Sequence, residues 1–311
     1  MKSMLLRNSL ALISLASLVA CGETLDPGSR VTSFRVLAQQ MDSPYAAPGE
    51  TVHVTSLVAD PQSRPIHWAW AMCVNPISSE VGGCMDKIQA DSEAKGSALL
   101  IAEGVGVDAV DVTVPSDALS SLPESARSQA SVGVLSVACP GTLSIASGAS
   151  ELPFRCVETG TGRELGLHEF VVGVKRIVVR DRDRNLNPSI ARVTFDGMEW
   201  PETEVKRAAA CHETGNDFSC PDSLQHKIAA EPTPQSIETG VSEFSQDFSE
   251  QVVVQYYASE GTFENETRIA SNPETKWAPR DPATGQDLTF WFVVRDNRGG
   301  VTWTTRQLHV E

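Results

Sequence analysis

The chain has 311 residues, 41% of them hydrophobic and 21% charged, with 40 acidic against 25 basic side chains and a formal net charge of −15. That length allows two domains of common size. The acidic balance works against nucleic acid and anionic lipid headgroups as partners, because both repel it.

The first twenty residues read as an export signal, not as part of a fold. Lys2 and Arg7 give a basic start, and "SLALISLASLVA" is an apolar run too short to span a bilayer as a stable helix. No later apolar stretch approaches the length of a membrane span, so the sequence predicts a body outside the bilayer. The stretch "LVACG", Leu18 to Gly22, resembles a bacterial lipobox. The resemblance implies cleavage after Ala20, a diacylglyceryl group on the Cys21 thiol and an acylated new amino end, palmitate being the expected acyl chain. More than one acyl chain makes such an anchor stable. The alternative is ordinary cleavage near Ala20 that leaves Cys21 free. Cleavage removes Lys2 and Arg7, leaving 23 basic against 40 acidic residues, a balance of −17. Gly22 and Glu23 lack the aspartate that resembles an inner-membrane retention signal, which makes the outer membrane the expected site of a protein tethered by its amino end.

Residues 21–31 are expected to form a polar tether. "VTSFRVLAQQ" reads as a first strand, and "YAAPGETVHVTSLVADPQSRPIHWAWAMC" as turn, strand, turn, strand. Val52 and Val54 alternate with polar neighbours, as do Trp68 and Trp70 with small ones. Period-two alternation between closely spaced turns predicts an antiparallel sandwich or barrel. The run "APGETVHVTSLVADP…RPIHWAW" resembles the opening strands of immunoglobulin-like and PKD-like domains of bacterial surface proteins. An irregular insertion over 77–130 is expected to hold a Gly/Ser-rich, disulfide-closed loop, a strand at "AVDVTV" and a short helix at "PSDALSSLPESARSQ". "SVGVLSVAC" and "EFVVGVKRIVVRD" close a first domain over 32–183.

The second domain, 184–311, opens with a strand in "SIARVTFDGMEWP". A polar insertion over 201–240 follows, ending in an extended "EPTPQSIETG". "EQVVVQYYASEGTFENE" reads as strand and turn. "DLTFWFVVRDNRGGVTWTTRQLHVE" reads as a hairpin whose turn uses Gly299 and Gly300 at positive φ. It resembles the last hairpin of PKD-like sandwiches. The expected fold class is therefore all-β: two immunoglobulin-like antiparallel β-sandwich domains with irregular disulfide-closed insertions.

Six cysteines remain beside Cys21, and an even number in an exported chain suggests disulfides. They form three close pairs: Cys73 with Cys84, Cys139 with Cys156, and Cys211 with Cys220. Three local bridges are expected, each contributing up to about 3 kcal/mol through loop entropy. The rival is zinc at Cys211 and His212. Adjacent residues rarely share one metal, and no C-x-x-C is present.

Between the domains, Asp181, Asp183, Asn185 and Asn187 fall on every second position of "RDRDRNLNPSI". They are candidate calcium ligands. An EF-hand fails, because Leu186 and Arg192 stand where it needs glycine and glutamate. The calcium linker of cadherin-type sandwiches is a looser comparison, and Leu186 replaces its central aspartate. Arg180, Arg182 and Arg184 alternate with the aspartates and compete for them. The competing expectation is a wet, charged hinge without metal, extended at Asn187 before Pro188.

Enzyme signatures are sparse. "SEAK", Ser92 to Lys95, matches S-x-x-K without its partner motifs. The histidines at 53, 67, 168, 212, 226 and 309 are scattered. "NET" at Asn265 has the form of a glycosylation sequon. The six tryptophans sit on or near expected strands. Trp291 and Trp303 are expected to face each other across the last hairpin, and core packing is preferred to a sugar platform. The sequence thus points to a non-enzymatic, lipid-anchored envelope protein without a required cofactor. It would act as a structural, adhesion or binding module for an envelope protein or glycan. The alternatives are an envelope hydrolase with its site in the insertions, or a spacer stiffened by calcium.

Overall fold

The computed structural model describes residues 27–76, 81–95, 100–145, 154–180, 182, 184–211, 220–241, 246–279 and 283–311. The export signal, Cys21, Asp181, Asp183 and His212 lie outside them.

The first sandwich is built from β1 (Arg35–Met41), β2 (Tyr45–Ala46), β3 (Thr51–Ala59), β4 (His67–Val74), helix α1 (Val81–Lys95), β5 (Leu100–Val105), β6 (Ala109–Thr113), β7 (Ser131–Cys139), β8 (Thr142–Ile145), β9 (Phe154–Val157) and β10 (Val171–Val179). One sheet runs β1-β3-β6 and the other β2-β10-β7-β4-β5, with β2 parallel to β10 and the other pairs antiparallel. This is an immunoglobulin-like strand plan. Alternation puts Val52 and Val54 of β3 and Val110 and Val112 of β6 against Trp68 and Trp70 of β4. The two indoles stack at 5.3 Å, and Trp70 Nε1 donates to the Val107 carbonyl at 2.7 Å.

Strand β7 is different. Its run "SVGVLSVAC" is buried at every position, as expected of a strand covered on both faces. Val132, Val134 and Ala138 face the sandwich interior. Leu135, Val137 and Cys139 face outward, beneath α1 and the β8–β9 hairpin. Two disulfides pin these covers: Cys73–Cys84 ties β4 to α1, and Cys139–Cys156 ties β7 to β9. Gly133 lies opposite Cys73 in register, and a Cβ there would overlap the Cys73 sulfur.

The second sandwich repeats the plan. Its strands are β11 (Ile190–Phe195), β12 (Met198–Glu199), β13 (Val205–Ala208), β14 (His226–Pro232), β15 (Thr239–Val241), β16 (Asp247–Ser249), β17 (Val253–Ala258), β18 (Thr262–Phe263), β19 (Thr267–Ile269), β20 (Thr275–Ala278), β21 (Asp287–Arg295) and β22 (Val301–Val310). The sheets run β12-β11-β14-β20-β18 and β13-β22-β21-β17-β19, and β13 pairs parallel to β22 as β2 does to β10. The core is aromatic: Trp200, Tyr256, Trp277, Phe290 and Phe292 are buried together. Cys211–Cys220 closes the loop between β13 and β14. All three disulfides join the pairs nearest in sequence, and such bridges belong to an oxidising compartment.

Several local expectations fail. The loop read inside 77–130 contains helix α1 and strand β5. The helix expected at "PSDALSSLPESARSQ" is a turn followed by a 3₁₀ helix, Glu124–Gln129. "EPTPQSIETG" is not simply extended, since Pro234–Ser236 is 3₁₀. The polar insertion after Trp200 supplies strand β13. Of the two glycines in the last turn, only Gly299 has positive φ, at 100°.

The largest difference is the joint between the sandwiches. In place of a wet hinge, β1 and β3 of the first pack on the outer face of β17, β21 and β22 of the second. Leu37, Ala38 and Leu57 meet Tyr257, Val293, Trp291 and Trp303. Trp291 and Trp303 do not pair directly: Trp291 is opposite Thr305 and Trp303 opposite Val293. Both indoles are spent on the interface, where apolar side chains outweigh the charges of the connecting segment. The expected tether also takes part: Val31 N donates to the Ala258 carbonyl and Ala258 N to that of Ser29, adding residues 29–31 to the edge of β17.

Candidate functional site

Three pieces of chain converge at this joint. The first is the β21–β22 turn, Asp296 to Gly300. Asp296 Oδ1 accepts from the backbone N–H groups of Arg298 at 2.7 Å and Gly300 at 2.8 Å, and Oδ2 accepts from Asn185 Nδ2 at 3.1 Å. Gly300 must lack a side chain, because a Cβ would overlap the Asp296 carboxylate and press on the Leu186 carbonyl.

The second piece is the connecting segment. Asn187 Nδ2 donates to the Met41 carbonyl at 2.6 Å, while its Oδ1 accepts from Val301 N at 2.9 Å. One amide thus clips β1 to β22. Arg184 pairs with Glu50 at 2.6 Å, and Arg180 lies over the Tyr45 ring at 5.5 Å.

The third piece is the connection from β14 to β17, which carries the β15–β16 ribbon. Arg298 reaches it from the turn. Its guanidinium lies between the rings of Tyr45, at 4.9 Å, and Phe248, at 4.5 Å, and bonds both Glu238 and Glu250 at 3.1 Å. Burial raises the Glu250 carboxyl above the usual range, against the pull of Arg298.

Beside this network is an open pocket of about 360 Å³. Lys175, Arg176 and Val178 of β10 form one wall; Phe248, Asn297 and Gly299 form the other. Lys175 Nζ donates to the Gly299 carbonyl at 2.8 Å. Burial, with the nearby Arg295 charge, pushes the Lys175 ammonium down to about 8, and Asp296 opposes the shift. Among the described residues no carboxylate forms an ion pair with Lys175 or with the exposed Arg176. A chain of net charge −15 therefore carries a small cationic pocket at its domain joint. Sequence reasoning missed it because its walls lie 70 or more residues apart in the chain.

Of the candidate calcium ligands, Asn185 and Asn187 are both drawn into the joint. Asn185 is 1% exposed, and its Oδ1 has no hydrogen-bond partner among the described residues. No group of three His, Cys, Asp or Glu side chains suited to a metal occurs among the described residues. Three histidines pair with aspartates across strands or turns: His53 with Asp111 at 2.6 Å, and His226 with Asp196 and His309 with Asp287 at 2.8 Å each. These pairs lie on three different sheets. "SEAK" falls at the end of α1.

No family model and no curated protein matches the chain. Among solved structures, a nucleoside hydrolase-related hypothetical protein from Saccharophagus degradans, associated with carbohydrate metabolism, aligns over 41% of this chain at 11% identity and a TM-score of 0.25; the match spans only 26% of that protein. The N-terminal Ig1-2 module of the Drosophila receptor protein tyrosine phosphatase DLAR aligns over 90% of this chain and 99% of its own, at 7% identity and a TM-score of 0.25. The D0-D1 domain of intimin aligns over 88% and 98%, at 12% identity and a TM-score of 0.21. Overlaps this loose carry no argument about function. The strand order and the joint define the chain as a welded tandem of immunoglobulin-like sandwiches.

Proposed function

We propose that this chain is a lipid-anchored envelope binding module, held at the outer membrane through Cys21 and acting without catalysis of its own. The observation that carries the reading is the joint. There the β14–β17 connection and the β21–β22 turn of the second sandwich, loops that immunoglobulin-like domains use for recognition, meet β10 of the first around an open pocket. Docking of residues 29–31 on β17 bears on the geometry. Seven residues lie between Cys21 and Ser29, so the two are at most about 29 Å apart along an extended chain. The lipid anchor would therefore hold the body close to the membrane instead of projecting it on a long tether. Palmitate labelling of the full chain, followed by detergent phase partition, tests the anchor. Label and detergent-phase recovery should both disappear in Cys21→Ser. Unlabelled wild-type protein in the aqueous phase would overturn it.

A second reading is favoured by Asn185, whose buried Oδ1 lacks a partner beside the Asp296 carboxylate. Calcium held there, with Asp181 and Asp183, would stiffen the joint, since hard cations take converging oxygens. Melting with millimolar calcium and then with a chelator tests it. Occupancy a hundredfold above the dissociation constant adds about 2.7 kcal/mol, and an unchanged midpoint would exclude the site.

A further inference from the structure

We propose that the joint pocket binds an acidic sugar, a hexuronate residue whose carboxylate is held by Lys175 and Arg176. Two cations without a carboxylate partner among the described residues set the charge of the ligand. The volume, about 360 Å³, lies at the small end of the range for small-molecule sites. The walls set the rest. A phosphate or sulfate needs donors on every side. This pocket instead places the Gly299 carbonyl, an acceptor, next to Lys175, has Val178 on the cations' own wall and Phe248 across from it, and is completed by Tyr45 and by Arg298, whose guanidinium is taken up by Glu238 and Glu250. A sugar acid matches that lining: the carboxylate meets the ammonium and guanidinium, ring hydroxyls meet the Gly299 carbonyl and the Asn297 amide, and the C–H face meets Phe248. Lys175 is already oriented by its bond to Gly299, so little side-chain entropy is lost when it takes a ligand. Charge-assisted bonds of this kind are the stronger class.

The site deepens the binding-module reading, but the two fail separately, because palmitate labelling does not depend on any sugar. The test is calorimetric titration of the full chain in detergent with galacturonate, trigalacturonate, neutral galactose and inorganic phosphate. Galacturonate should bind at least tenfold more tightly than galactose and more tightly than phosphate, and added salt should weaken it. Arg176→Glu, a change at an exposed side chain, should lower the affinity at least tenfold, and Lys175→Met should do the same. Equal affinity for monomer and trimer would identify a free sugar acid or chain end as the ligand, and tighter binding of the trimer an acidic polysaccharide; both support the site. Galactose as good as galacturonate, phosphate tighter than either acid, or no binding of monomer and trimer would overturn it.

Discussion

Lys175 sits on β10 with its ammonium against the Gly299 carbonyl. It faces Arg295 and Asp296 from β21 and its turn, shares the pocket wall with Arg176, and has Tyr45 and Arg298 nearby. Its pKa falls from 10.5 to about 8 on folding, burial being the larger cause and the Arg295 charge the next. The unfolded chain then holds a proton that the folded one has released at any pH between the two values. Stability therefore rises with pH through that window, and below pH 8 the buried charge costs the fold up to roughly 3 kcal/mol. Tyr256, shifted upward by burial, acts in the opposite sense above its ordinary value of 10.0, so the window to examine is pH 7.5 to 9.5. Urea melts should show wild-type protein gaining stability across it. Lys175→Met should be more stable than wild type at pH 7.5 and lack the gain. A wild-type midpoint that falls or stays level would contradict the burial argument. The lysine is then a group whose cost the fold bears, as sites that bind often do.

At the scale of elements, α1 is the least self-sufficient part of the first sandwich. It carries Gly82 and Gly83 in its first turn and no acidic residue there, so little in its own sequence favours a helix. Cys84 fastens it to β4, while Met85 and Ile88 pack on the outer face of the sheet. Removing that bridge with Cys73→Ala and Cys84→Ala reopens an 11-residue separation, worth about 3 kcal/mol in unfolded-chain entropy. Thermal melting should drop accordingly, and hydrogen exchange should show α1 losing protection before β7. Gly133→Ala attacks the same contact from beneath. Its methyl would meet the Cys73 sulfur, and overpacking of this kind costs about 1–3 kcal/mol. The penalty should shrink in the bridge-free background, and a full penalty there would place its cause elsewhere.

These elements also explain what could be read in advance. Strands β3, β4, β10, β21 and β22 carry their apolar runs on the surface of the sequence, and close cysteine spacing matched the observed bridges. Helix α1 was hidden because a disulfide and a sheet face, not its own periodicity, hold it. Strands β2 and β13 are short segments whose only mark is parallel pairing to a distant partner. The turn at Asp296 was legible as a turn. Its contacts with Asn185 and Leu186, which make it part of the joint, join residues about 110 positions apart and leave no local signature. The alternating charges of the connecting segment pointed toward water, and Arg182 and Arg184 are exposed, but Asn185 and Asn187 of the same segment are drawn into the joint.

At the scale of the whole molecule, the joint couples the two sandwiches. Arg295 donates to the Leu37 carbonyl at 2.5 Å, Lys175 to the Gly299 carbonyl, and Asn187 bonds both Met41 and Val301 across a surface that also buries Leu37, Ala38 and Val293. Apolar packing with directional bonds should make the two domains unfold together, although tandem domains joined by small polar contacts usually melt apart. Differential scanning calorimetry of the full chain should give one transition whose calorimetric and van't Hoff enthalpies agree. Asn187→Ala removes one donor and one acceptor and leaves the Met41 carbonyl and the Val301 amide unpaired, at about 1–3 kcal/mol each if they stay dry. The variant should melt earlier, and the single transition should separate into two as the coupling weakens. Asn187→Asp keeps the acceptor for Val301 but loses the donor to Met41, so its effect should fall between. If wild-type protein already melts in two steps, the packed joint does not couple the domains. If Asn187→Ala lowers the midpoint without splitting it, Trp291, Trp303 and Leu57 carry the coupling, and Trp303→Ala should split the transition where the amide change did not.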